Sequence, residues 1–142
     1  MSKINGFQAA LEALRTLDEA AQERILADIL KKDPDMAKRL KSHLITFDDL
    51  LRVNPAGLHL LFQSVSEVKW VLALRGKSAD FVDTLLKILP TRRIDLFKAA
   101  LARLGPQPLN KVEAAQRDVL QKALELEAEG RLLFSKPGDP LV

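Results

Sequence analysis

The residues with chemical potential are few. His43 and His59 are the only imidazoles, and the chain contains no cysteine. No pair of carboxylates stands at ligand spacing from either histidine, so each reads as a surface or boundary residue rather than a metal ligand. Asp48-Asp49 could act as an acid/base pair, but adjacent carboxylates at a helix start serve the helix dipole instead. Gly76 and Gly105 mark turns; no glycine-rich phosphate loop and no serine elbow is present. Neither catalysis nor a cofactor is therefore expected. What remains is charge. The stretch TRRIDLFKAALARLGP, from Thr91 to Pro106, sets Arg92, Arg93, Lys98 and Arg103 against one acid, Asp95.

The elements that must position those charges are helices. Ile94, Phe97, Leu101 and Leu104 recur at helical spacing, so that face of the basic stretch should be buried. Phe7, Ala10, Leu11, Leu14 and Leu17 form an earlier stripe. Asp18 can cap a second helix, with Ile25, Leu26, Ile29 and Leu30 turned inward. Asp33-Pro34 starts a third through Met36 and Leu40, and Asn54-Pro55 a later one through Leu58, Leu61, Phe62 and Val65. Thr46 with Asp49 resembles a capping box between them.

Ser66 opens a short helix carrying Trp70, Val71 and Leu74 and ending at Gly76. Ser78 opens the next, with Phe81, Val82, Leu85 and Leu86, which Pro90 breaks. Asn110 with Glu113 makes a capping box for a long last helix, stopped by Gly130. Leu132-Leu133-Phe134 reads as a short docked piece, and the tail SKPGDPLV as loosely held. About nine short helices with short connections suggest an all-α chain, an armadillo-like right-handed superhelix or an irregular helical bundle. Trp70, Phe81, Leu85, Phe97 and Leu101 are the expected core.

Bulk composition agrees. Apolar residues are 47% and charged residues 29% of 142, which suits one globular core. Aromatics are only 5%, and the apolar content is mostly the helix formers leucine and alanine. The opening MSKINGFQAALEALRTLDEAA has charges inside its apolar run and no small-residue cleavage site, so it does not read as a signal peptide. No uninterrupted apolar stretch approaches the roughly twenty residues of a membrane helix, so no membrane insertion is expected and the chain should be cytoplasmic. A net charge of +3 is small for a dedicated nucleic-acid binder.

Several stretches together resemble one family. DPDMAKRLKSHLITFDDLL, VKWVLALRGKSADFVDTLLKILPTRR, LGPQPLNKVEAAQRDVL and LEAEGRLLF are similar, in order and spacing, to the C-terminal part of the flagellar motor switch protein FliG. The resemblance implies an armadillo-like rotor protein of the bacterial flagellum. Its C-terminal domain meets the membrane-embedded stator through electrostatic contacts. The preceding helical repeat stacks on other rotor subunits and contacts the switch protein FliM. The family's apolar hinge, a Met-Phe-x-Phe segment, corresponds here to Leu44, Ile45, Thr46 and Phe47.

The family's stator-facing basic residues match Arg75, within ALRG, and Arg92. Its acidic pair falls on Ala99-Ala100, and a further arginine falls on Pro108. The resemblance thus implies a stator-facing surface of Arg75, Arg92, Lys98 and Arg103 that has lost its acids and become single in sign. It also implies the division 1–43 helical repeat unit, 44–47 hinge and 48–142 C-terminal-like domain.

The family's N-terminal domain and most of its middle domain have no counterpart in the sequence. With Met1-Ser2-Lys3 taken as a natural start, a stand-alone relative is expected. The repeat would then lack the middle-domain repeat that covers it in the family. Phe7, Leu11, Leu14, Ile25 and Ile29 are the expected self-association stripe, giving a homodimer or a dedicated partner. Two other readings stand beside the rotor/switch one. The fold could serve as an adaptor in a non-flagellar assembly. Alternatively, the basic helix 91–104 could bind nucleic acid, although no recognition motif accompanies it and no nucleic acid is expected as partner.

Overall fold

Helix starts are the features this chain declares most clearly. The structure, a computed structural model, describes residues 6–135. Among these are α1 (Gly6–Arg15), α2 (Glu19–Lys32), α3 (Pro34–Leu44), a 3-10 segment (Phe47–Arg52), α4 (Pro55–Ser64), α5 (Glu67–Leu74), α6 (Ala79–Leu86), α7 (Thr91–Leu104) and α8 (Leu109–Ala128). The protein is all-α. Met1–Asn5 and the tail after Ser135, expected to be loosely held, lie outside the described residues.

Four caps work as their residue types demand. The side chains of Asp18, Asp33, Ser66 and Ser78 accept from the backbone N–H groups of Ala21, Met36, Lys69 and Phe81. The α8 start differs from expectation. Pro108 precedes the helix with no side-chain cap, and Asn110 lies inside the first turn, so Asn110 and Glu113 do not form a capping box. Pro108 supplies the entry geometry, with φ −59° and a carbonyl that accepts from Lys111 and Val112.

Internal contacts divide the chain between Thr46 and Phe47. In the first unit, Phe7, Leu11 and Leu14 of α1 and Leu40 of α3 form the core. Gln22 Nε2 donates to the Leu14 carbonyl at 2.7 Å, joining α2 to the end of α1. The Arg39 guanidinium lies 4.4 Å from the Phe7 ring centre, and His43 meets the same ring edge-on. Two expectations are corrected here. Ile25 and Leu30 do not face inward; they are 39% and 52% exposed, and α2 has no fully buried residue. Their stripe is broader than the face covered within the unit, so only Leu26 and Ile29 pack against the core. Phe7, Leu11 and Leu14 are buried within their own chain and are not part of any open stripe.

The second unit is built around aromatic rings. Trp70 of α5 stacks on Phe62 of α4 at 4.2 Å, and Phe97 of α7 meets Phe62 at 5.8 Å. Phe47 packs on Phe81 and Trp70 at 5.7 and 6.5 Å. The long α8 lines this assembly with Val112, Ala115, Val119, Leu120, Ala123 and Leu126. Trp70, Phe81, Leu85 and Phe97 are buried as expected. Leu101, Ile94 and Leu104 are only half-buried, because α7 lies at the edge of the unit and Phe97 alone is fully enclosed.

Gly130, at φ 75°, ends α8 in a Schellman turn: Gly130 donates to Glu127, and Arg131 to Leu126. The chain then docks as a short extended piece. Phe134 bridges Val53, Asn54 N–H donates to the Leu133 carbonyl, and Leu133 N–H donates to Asn54 Oδ1 at 3.0 Å. Asn54 thus spends its side chain on this segment and not on capping α4. A Cβ on Gly57 would stand 2.9 Å from the Leu132 backbone, so only glycine admits the segment so closely.

Truncating the most enclosed ring of α7 should be costly. Phe97→Ala is expected to lower unfolding free energy by about 3–5 kcal/mol. Urea denaturation followed by circular dichroism measures it.

Candidate functional site

The four expected surface cations do not play one role. Arg75 follows α5, and its Nε donates to the Gly105 carbonyl at 2.8 Å. Gly105, at φ 68°, ends α7. Arg75 therefore ties the end of α7 to the end of α5. Lys98 leaves α7 toward α6 and pairs with Asp83 Oδ1 at 2.7 Å. Arg92 and Arg103 are exposed. Eleven residues apart, about three helical turns, they share the outward ridge of α7 at a separation of roughly 16 Å. Ala99 and the half-exposed Leu96 lie between them on that ridge.

Two consequences follow. Arg75 and Lys98 line one cleft, to which the exposed Arg92 and Arg103 do not contribute. The surface is also not single in sign, as the sequence suggested. Asp83 stands against Lys98, and Asp95 is exposed on α7 itself. Asp83 comes from a neighbouring helix, so no pattern within 91–104 could disclose it.

Lys77 was likewise missed. It lines the same cleft, its ammonium lies 4.9 Å from the Phe81 ring centre, and it pairs with Asp48 of the 3-10 segment. A lysine after a turn glycine gives no sequence signal of such a role.

Among the described residues, no three histidine, cysteine or acidic side chains stand where they could hold a metal ion. His43 Nδ1 lies 2.9 Å from the Arg39 carbonyl of its own helix, and His59 is exposed on α4. No helix among the described residues is long and apolar enough to cross a membrane.

The described residues define an all-helical protein of short helices in two units. Within that class the family is specific. Residues 27–134 match the FliG C-terminal domain family, and the chain belongs to it.

The flagellar motor switch protein FliG of Thermotoga maritima is 26% identical over 137 residues, covering 96% of this chain and 41% of that protein. The Aquifex aeolicus protein of the same name is 28% identical over 130 residues, covering 92% and 40%. The structure of full-length FliG from Aquifex aeolicus superposes with a TM-score of 0.66 at 28% identity, over 92% of this chain and 41% of that one. A crystal structure of a FliG fragment from H. pylori gives 0.73 at 22% identity, covering 93% and 58%, and shares the fold. The chain spans about two-fifths of the length of these curated relatives.

The anchoring and ridge cations should separate on mutation. Arg75→Ala is expected to cost about 1 kcal/mol of stability, with Arg75→Lys failing to restore the guanidinium's directed bond. Arg92→Ala and Arg103→Ala should each stay within about 0.5 kcal/mol of the parent. Denaturation midpoints at matched slopes distinguish the two outcomes.

Proposed function

We propose that this chain is a non-enzymatic component of the bacterial flagellar rotor/switch complex, acting at the cytoplasmic face of the basal body through protein–protein contacts. The observation that carries this reading is the family match over residues 27–134, together with relatives that are flagellar motor switch proteins.

The contact surface with the stator is altered in this reading. Arg92 and Arg103 present positive charge on the α7 ridge, and Ala99 stands exposed between them where the family resemblance places an acid. A stator loop bearing both signs finds partners there for its acids. Its basic groups find only Asp95 on the ridge, since Asp83 is engaged by Lys98. Each exposed pair contributes roughly 0–1 kcal/mol, but encounter and selectivity depend on the whole pattern. Grafting residues 48–142 onto a FliG rotor protein lacking its own C-terminal domain tests this. Little or no swimming is expected from the unmodified graft, and recovery with Ala99→Asp and Ala100→Asp. Full motility from the unmodified graft refutes the altered contact.

The hinge of this reading is Leu44, Ile45, Thr46 and Phe47, between a Leu44 that packs against the core of the first unit and a Phe47 buried in the second.

The first unit supplies a second contact. Ile25 and Leu30, flanking the partly covered Ile29, are the apolar side chains of α2 left for self-association. Sedimentation at tens of micromolar is expected to show a dimer that Ile25→Glu with Leu30→Glu dissolves. A clean monomer of the parent chain contradicts it.

A further inference from the structure

The 3-10 segment Phe47–Arg52 is six residues long, and 3-10 runs beyond about four residues are uncommon because their hydrogen-bond geometry is poor. This one is tied from outside at both ends. Near its start, Asp48 receives the Lys77 ammonium. Its last bond, from the Val53 N–H to the Leu50 carbonyl, abuts the extended piece Leu132–Ser135.

That piece grips residues 52–54 from both sides. The Ser135 N–H and hydroxyl both donate to the Arg52 carbonyl, at 2.8 and 3.0 Å. The Arg52 guanidinium donates back to the Ser135 carbonyl, and its Nε and Nη2 donate to Asp49 Oδ1. Arg52 therefore joins the strap to the body of the 3-10 segment. Asn54 holds the other side, giving its N–H to the Leu133 carbonyl and taking the Leu133 N–H on Oδ1.

The strap has one buried anchor. Leu132 is fully enclosed against Gly57, whereas Leu133 is 62% exposed and Phe134 and Ser135 are half-buried. One leucine and a short surface ladder are far less to surrender than the cluster of Trp70, Phe62 and Phe97, so the strap can leave while the cluster stays folded. Its bonds cannot leave singly. Val53 faces Phe134 as a pair flanked by the two ladder bonds, so losing either bond misaligns the other.

We propose that Leu132–Ser135 is a latch, which opens and closes as one piece and sets how firmly the 3-10 segment beside the hinge is held. When it is closed, Arg52 is fixed between Asp49 and Ser135 and the last 3-10 bond is covered. When it is open, Val53 and Asn54 meet water and the segment keeps only its buried side chains and the Lys77 tie. The segment begins at Phe47, the last hinge residue, so the latch governs the chain next to the hinge without disturbing the ring cluster. It needs no flagellar partner, and its test is separate from that of the rotor graft.

Amide hydrogen exchange of the isotope-labelled full chain, read by nuclear magnetic resonance, tests the latch. The amides of Val53, Asn54, Leu133 and Ser135 should share one protection factor, about a hundredfold or more below that of Val119 and Ala123 in α8. Arg52→Gln leaves the bonds of all four amides in place and should still speed their exchange about fivefold, with Val119 and Ala123 unchanged. Asn54→Ala removes only the acceptor of the Leu133 N–H, since Asn54 does not cap α4 with its side chain. It should nevertheless speed Val53 and Ser135 by a similar factor, and Asn54→Asp, which keeps an acceptor, should restore the parent rates. Four unrelated protection factors, or exchange of all four only together with Val119 and Ala123, would overturn the latch. So would an Asn54→Ala effect confined to Leu133. If Arg52→Gln fails to fold, the Asn54→Ala and Asn54→Asp pair decides alone.

Discussion

The stack of Trp70 on Phe62 is the contact on which the second unit depends. Phe97 reaches α7 into it, while Phe47 and Phe81 extend it to the 3-10 segment and α6. With six phenylalanines and one tryptophan in 142 residues, the chain has concentrated most of its ring surface in one place. That concentration carries a cost. Among the described residues no protein group accepts from the buried Trp70 indole N–H, and a buried donor left unmet costs about 1–3 kcal/mol. A large aromatic side chain can bury enough area to offset such a penalty. Four short helices, each too short to persist alone in water, are thereby given a common wall.

Once the rings set the helices, the surface is organised by how each cation is used. Arg75 holds a turn, Lys98 satisfies an acid on the next helix, and Arg93 lies over the Phe97 ring at 5.6 Å. Arg92 and Arg103 stay on the ridge. A count of positive charge along 91–104 treats all of these as equal, and they are not. A cation committed to a backbone carbonyl or a carboxylate offers little further attraction to a partner. One on an exposed helix face is screened by salt but can steer an encounter. The distinction separates what keeps the domain folded from what it can touch.

Much of the fold was legible because local chemistry determined it. Asp18, Asp33, Ser66 and Ser78 cap the helices they announce, since a short oxygen-bearing side chain at that point serves its own turn. Gly130 ends α8 because the turn needs a positive φ. The failures share a different cause: they depend on what stands across from a residue. Asn54 looked like a cap and instead binds Leu133, and Ile25 and Leu30 had helical spacing but no neighbour to cover them. The Lys98–Asp83 and Lys77–Asp48 pairs join elements far apart in the chain. Periodicity says which way a side chain points along its own helix, not what waits there. Family resemblance supplied the rotor reading, which residue chemistry alone could not.

The proposed role of this helical domain in a flagellar rotor is tested most directly by a fluorescent fusion expressed at native level in the cells that encode it. Foci coinciding with flagellar bases, and dispersing when rotor assembly is blocked, are the predicted result. Diffuse fluorescence, or foci that persist without a rotor, would contradict it.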